Sequence, residues 1–431
     1  MKARIFSVLS TCCLMICPPL RGQAPGSPPA GTPPSPVSGG PRITLEQAVA
    51  RALADNPNLL MTREHVSATR AQQITAGLRQ NPTLTLTGQG VTLPEIANDG
   101  GNPFYYSANV SRLFERGRKR QWRLDGAIAT ADQTESQMHD QERQVVLQVR
   151  LAFTNLLIAR DARGIADENL ADYRKTLDLS QARLDAGDIT KTDFERIDLQ
   201  LAQFESDADN AMLNYQQASA QLQVLFGVKK PDLTLQVEGT LAIPEISMTM
   251  ADAEAMALSS RPDVRAAEQG LRAAQANSKL AIAGGTADPT ISAEYERSGP
   301  DNTVGGTIEI PLRLFDRNQG EKERTRFEVR SSEFAVTAVR NQVVSDVDQA
   351  WVALDIARRL ANRYNSHYLS EATHVRDNLQ FSYRNGNTTL LDYLSALRDY
   401  RAVNLAGLQA NAQVWLAIHE LSFATAKDVL P

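Results

Sequence analysis

His367, Glu371 and His374 follow one another at four- and three-residue steps. On a helix that spacing brings two imidazoles and a carboxylate to one face, the donor set of a divalent-cation site. The plainer reading is a solvated polar stripe, because such triplets arise by chance on long charged helices. It carries more weight, so neither a resident metal nor a cofactor is expected. The chain also lacks a Gly-x-Ser-x-Gly turn, a phosphate-cradling glycine loop and a Cys/His pair in its body. Nucleophilic, phosphoryl-transfer and thiolate chemistry therefore lack their parts, and no enzyme is expected.

Charge is the next chemical signal. Arg116, Arg118, Lys119, Arg120 and Arg123 crowd one stretch, and Arg313, Arg317, Lys322, Arg324 and Arg326 crowd another. Positive charge at a helix start opposes the helix dipole. Lipid headgroups at a membrane surface would compensate it, and solvation of the helix ends is the alternative. Two loops also match: Ala186-Gly187-Asp188-Ile189-Thr190-Lys191-Thr192-Asp193 and Asn385-Gly386-Asn387-Thr388-Thr389-Leu390-Leu391-Asp392. In each, glycine ends one helix, and Thr three residues before Asp caps the next.

The elements that carry these groups are long. No proline stands between Pro103 and Pro231 or between Pro311 and Pro431, runs of 127 and 119 residues rich in Ala, Leu, Gln, Glu and Arg. Proline costs about 3 kcal/mol inside a helix, so its exclusion signals helices. Val145, Val149, Phe153, Leu156 and Leu157, then Val343, Val347, Trp351, Leu354 and Leu369, trace one-sided apolar stripes. Helices are expected over about 121–183 and 321–383, each roughly 95 Å long. They turn at tips near 184–192 and 384–391, and a second helix returns from each.

The chain is written twice. Ile43-Thr44-Leu45-Glu46-Gln47-Ala48 through Pro57 matches Met248-Thr249-Met250-Ala251-Asp252-Ala253 through Pro262 at a constant offset of 205. Two repeats, 43–247 and 248–431, are therefore expected. Between the first helices and the long ones, period-two alternation predicts four strands, at about 82–93, 104–114, 289–297 and 303–315. Each is about as long as a tilted membrane strand. Four strands do not close a barrel, and a bilayer forbids open edges, so membrane strands here require several chains to pool them. Three chains would give twelve strands.

Export is expected. Lys2 and Arg4 precede an apolar run from Ile5 to Ile16, the layout of a signal peptide over 1–24. A Pro/Gly-rich tether, 25–42, follows. Cys12, Cys13 and Cys17 are the only cysteines, so no disulfide staples the body. The net charge of −5 gives no ground for nucleic-acid binding.

The duplicated order of helix, two strands, long helix, tip and returning helix resembles the TolC-like outer-membrane efflux proteins, over nearly all of 43–426. Ile310-Pro311-Leu312-Arg313-Leu314-Phe315-Asp316-Arg317-Asn318-Gln319-Gly320 is similar to the strand-to-helix junction of the cobalt–zinc–cadmium branch, and Leu113-Phe114-Glu115-Arg116-Gly117-Arg118-Lys119-Arg120 to its first-repeat counterpart. The resemblance implies a mixed α and β membrane protein of the outer membrane, in which three copies form a twelve-stranded β-barrel continued by a periplasmic α-helical barrel. It implies a passive conduit for heavy-metal cations, with a periplasmic adaptor (membrane fusion) protein and a proton-driven inner-membrane pump of the resistance-nodulation-division class as partners. Drug efflux or type I secretion is the alternative within that fold, and a soluble periplasmic coiled-coil scaffold the alternative outside it.

The resemblance also assigns roles. Asp193 and Asp392 fall where family members place acidic residues at the channel constriction, with helix capping as the plainer role. Gly187, Asp188, Gly386 and Asn387 match the adaptor-contacting tips. Positive charge, independently of the resemblance, makes Arg116, Arg118, Lys119, Arg120 and Arg317 the candidate membrane-interface residues. Thr388 and Ser395 depart from the family's arginine and second acidic residue, so no salt-bridge latch is implied.

Overall fold

A computed structural model of the chain describes residues 42–89 and 105–429. The expected signal peptide, the tether up to residue 41, the end of the first strand past residue 89 and the start of the second at 104 lie outside the described residues.

Each repeat opens on a capped helix. The Gln47 amide donates to the Thr44 hydroxyl at 3.3 Å while the Thr44 amide donates to the Gln47 carboxamide at 3.1 Å, which closes a capping box on α1 (Leu45–Asp55). Thr249 and Asp252 do the same for α5 (Met250–Ser260). Pro57 and Pro262 begin α2 (Pro57–Gly77) and α6 (Pro262–Gly284), where a missing N–H costs no helical bond. One boundary is corrected: Arg42 is not tether. Arg42–Ile43 (β1) pairs in parallel with Gln236–Val237 (β4), because burying Ile43 holds the segment down.

The remaining strands are β2 (Thr83–Gln89), β3 (Tyr105–Leu113), β5 (Thr290–Ser298) and β6 (Asp301–Glu309), in one antiparallel sheet of order β2-β3-β5-β6. β3 and β5 join the two repeats, from Tyr105 opposite Ser298 to Leu113 opposite Thr290. β6 departs from the expected 303–315 at both ends. Gly299, at φ +58°, and Pro300 make a two-residue turn, so pairing begins at once with Ser298 opposite Asp301. At the other end Pro311 has no N–H to donate, and the strand stops at Glu309.

The long helices are α3 (Lys119–Asp185) and α4 (Lys191–Val224) in the first repeat, with α7 (Gln319–Arg363), α8 (Leu369–Arg384) and α9 (Leu390–Thr425) in the second. At 67 residues α3 is roughly 100 Å long. Its counterpart is not one continuous α-helix: a π-helical turn, Tyr364–Tyr368, separates α7 from α8. Val145, Val149, Phe153 and Leu156 pack with Ala48, Ala52 and Leu222 in one core. Val343, Val347 and Leu354 pack with Ala253, Ala257 and Ile418 in its duplicate. No helix among the described residues is long and apolar enough to cross a membrane.

Candidate functional site

The two tips share one backbone design. Gly187, at φ +82°, donates its amide to the Leu184 carbonyl at 3.0 Å, and the Asp188 amide donates to Arg183 at 2.8 Å. Gly386, at φ +73°, donates to Tyr383 at 3.1 Å, and Asn387 to Ser382 at 2.8 Å. Both are Schellman closures, which need a left-handed residue. A Cβ at either glycine would meet nothing within 4 Å. Backbone geometry therefore sets the glycine, and the space around it is open.

The tip carboxylates cap the returning helices. The Thr190 hydroxyl donates to Asp193 at 2.8 Å, and the Thr389 and Thr388 hydroxyls to Asp392 at 2.6 and 3.3 Å. The Thr389 bond, more than any other cause, holds the Asp392 carboxyl below the usual carboxylate range. Behind the tips one buried cluster draws aromatic side chains from both helical hairpins, and the Thr176 and Tyr393 hydroxyls meet across them at 3.2 Å. Tyr383 stacks on Tyr393 at 5.2 Å and Tyr173 on Phe204 at 4.2 Å, and the buried Tyr173 hydroxyl donates to the Ile197 carbonyl at 2.7 Å. Arg183 crosses between hairpins, donating to the Tyr383 carbonyl at 3.1 Å.

The His367, Glu371 and His374 spacing loses its premise. His367 lies in the π turn, where the Leu369 amide donates to the Tyr364 carbonyl five residues back and breaks the 3.6-residue period. Among the described residues no three His, Cys, Asp or Glu side chains gather in a metal-holding group.

At the first strand-to-helix junction the basic residues divide. Lys119 is 8% exposed. Its ammonium donates to Asp288 at 2.6 Å and to the Thr286 carbonyl at 2.7 Å. The expectation of an interfacial Lys119 is thus corrected: burial against a carboxylate from the other repeat takes it away from any surface. Arg123 forks onto Glu115 at 2.8 and 3.2 Å. Arg116, Arg118, Arg120 and Arg317 are exposed.

The sheet has two chemically distinct faces. Register places Leu84, Leu86, Val110, Ile291, Tyr295, Val304 and Ile308 on one, and Thr83, Thr85, Ser111, Ser292, Glu294, Thr303 and Thr307 on the other. Its outer strands, β2 and β6, have no partner beyond them among the described strands. The helices repeat that order. α2 and α4 pack chiefly on α3, which packs on α6 and α9, and both of these pack on α7. One flank is therefore β2, α2 and α4, and the other β6 and α7. Both carry exposed apolar side chains: Met61, Ile74, Leu199 and Leu213 on the first, and Phe327, Phe334, Val352 and Ile356 on the second.

Sequence reasoning missed the Lys119–Asp288 pair, the tip aromatics, and Arg79 and Arg112 beside the first junction. Tyr173, Phe204, Tyr383 and Tyr393 lie on separate helices, so no local spacing announced them. The alternation along β3 carried a usable signal for Arg112, a charged residue in register with the apolar face.

The chain matches the profile of the outer membrane efflux protein family over residues 48–228 and 255–427. It is 26% identical to the outer membrane efflux protein BepC of Brucella suis over 67% of this chain, and spans 65% of the length of that relative, just under two thirds. It is 24% identical to the cobalt-zinc-cadmium resistance protein CzcC of Cupriavidus metallidurans over 83% of each chain. Among solved structures it is similar to the Campylobacter jejuni CmeC outer membrane channel, with a TM-score of 0.75 at 14% identity, covering 88% of this chain and 85% of that one.

Proposed function

We propose a conduit, on the premise that this chain belongs to the outer membrane efflux protein family, whose members are TolC-like channels of the outer membrane. Three copies join flank to flank, β2, α2 and α4 of one against β6 and α7 of the next. Twelve strands close a barrel in the outer membrane, and the helices continue it as a periplasmic tunnel. Each repeat, 43–247 and 248–431, supplies one hairpin and one pair of long helices.

The observation that carries this reading is that sheet and helices are open on the same two flanks. A four-stranded sheet is too small to close alone, and unpaired strand edges are excluded from hydrocarbon, so another copy must cover each flank. The flanks are unlike, which makes the contact heterologous, and a heterologous contact that closes makes a ring. Closure turns the Thr, Ser and Glu face toward a water-filled lumen and the Leu, Ile and Val face toward lipid.

The tips, with Gly187, Asp188, Gly386 and Asn387 outermost, meet a periplasmic adaptor, which links the tunnel to a proton-driven inner-membrane pump of the resistance-nodulation-division class. Asp193 and Asp392 each become a ring of three carboxylates at the tunnel entrance, attracting cations and repelling anions. Heavy-metal cations are the cargo, a reading supported by the name of the relative CzcC. The protein breaks no covalent bond.

Deleting the gene and restoring it on a plasmid tests the cargo. Deletion should sensitise cells to cobalt, zinc and cadmium. Sensitivity to organic drugs alone would refute the metal cargo and leave the conduit standing.

A further inference from the structure

At the helical end of the sheet, where β3 runs into α3, lies a recess of about 680 Å³ lined in part by Arg79, Arg112, Phe114, Glu115, Arg118 and Arg120. Four guanidiniums share it with a single carboxylate, and that carboxylate is already taken: Glu115 is held by Arg123. Lys119, the other cation of the recess, turns inward to Asp288. None of the four arginines has a carboxylate partner among the described residues. The matching junction of the second repeat differs. There Arg324 is paired with Glu321 and Glu328, and Arg326 with Glu323. Arg313, Arg317 and Lys322 of that junction have no carboxylate partner among the described residues either; at the first junction the four arginines line one recess.

Its position identifies the anion. Arg112 pairs across the sheet with Ile291, and Ile291 with Ile308. Arg112 therefore stands on the apolar face, at the edge nearest the helices, with its guanidinium 5.1 Å from the centre of the exposed Phe114 ring. A charge at the border of a lipid-facing surface, flanked by an aromatic ring, belongs at headgroup depth. Guanidinium forks match phosphate oxygens in pairs.

We infer that this recess binds the phosphodiester headgroup of an anionic phospholipid of the periplasmic leaflet. Arg112 and Arg118 grip the phosphate, and Phe114 lies along the first acyl carbons. Each closed ring carries three such sites. The inference rests on the outer-membrane conduit proposed above.

Native mass spectrometry of the full chain, purified in a non-ionic detergent, tests it. Phosphatidylglycerol, phosphatidylcholine and inorganic phosphate are added separately and in competition, and adducts are counted on the trimer. The trimer should retain phosphatidylglycerol about tenfold better than phosphatidylcholine. Inorganic phosphate at equal concentration should not displace it. Arg112→Gln with Arg118→Gln should abolish the preference, while Arg324→Gln with Arg326→Gln should keep it. Equal retention of both lipids on an intact trimer overturns the inference and spares the conduit. Displacement by inorganic phosphate overturns it in favour of a free-anion site. If the Arg112 and Arg118 variant does not assemble, the unmodified trimer decides: the preference must fall as salt is raised from about 0.1 to 0.5 M, and a salt-independent preference overturns it. A chain that forms no trimer removes the conduit, and this site with it.

Discussion

Lys119 and Asp288 meet at 2.6 Å across the seam between the two repeats, one at the start of α3 and the other just before β5. Asp288 also accepts the Arg116 amide at 2.7 Å. One carboxylate thus fixes the angle at which the first long helix leaves the sheet and the point at which the second repeat enters it.

Removing one partner should strand the other. Asp288→Asn or Lys119→Met is expected to destabilise the protein by about 3 kcal/mol, because an unpaired charge remains buried. A double-mutant cycle read by thermal unfolding should return a coupling of at least about 1 kcal/mol. Additive effects would reduce the pair to a bystander.

The tip carboxylates should show two separable roles. Thr389→Ala removes the cap of α9 and should cost about 1 kcal/mol of stability. Asp193→Asn with Asp392→Asn should keep the fold at neutral pH and weaken block by added multivalent cations in single-channel recordings. Unchanged block would leave both residues as caps alone. The Asp392 carboxyl sits below its unfolded value, so the stability it adds is present above about pH 4 and is lost as pH falls through the lower folded value.

His419 should make the helical body acid-sensitive. Burial, reinforced by nearby Arg150 and partly offset by Asp428, pushes its imidazole down to about 4, and Thr154 lies 3.0 Å from its Nε2. The unfolded chain takes up this proton near pH 6.5 and the folded chain only near 4. Stability should therefore fall as pH drops from 6.5 toward 4, by about 3 kcal/mol in all, and level off below. His419→Gln should flatten that slope in chemical-denaturation curves, and an unchanged slope would assign the sensitivity elsewhere.

Much of the fold was legible because it is local. Thr44 and Thr249, Pro57 and Pro262, and the alternation along Thr83–Gln89 and Thr290–Ser298 each leave a mark within one element. What stayed hidden depends on other elements or on register. Nothing around Tyr364 breaks a helix, so the π turn left no proline or glycine to notice. Lys119 read as surface charge until Asp288, far away in the chain, was brought beside it. At the tips the glycines and threonines were readable, while the Tyr383–Tyr393 stack was not, since it forms only once two helices lie side by side.

The central claim is that the β2 edge of one copy pairs with the β6 edge of the next. Cysteines placed at Thr85 on β2 and, one at a time, at Thr303, Thr307 and Glu309 on β6 measure it most directly, with the native cysteines changed to serine. Oxidation in isolated outer membranes should link separate chains in at least one register, and the denaturing-gel ladder should end at three copies. A chain that never cross-links to another, or a ladder that runs past three, would contradict the closed trimer.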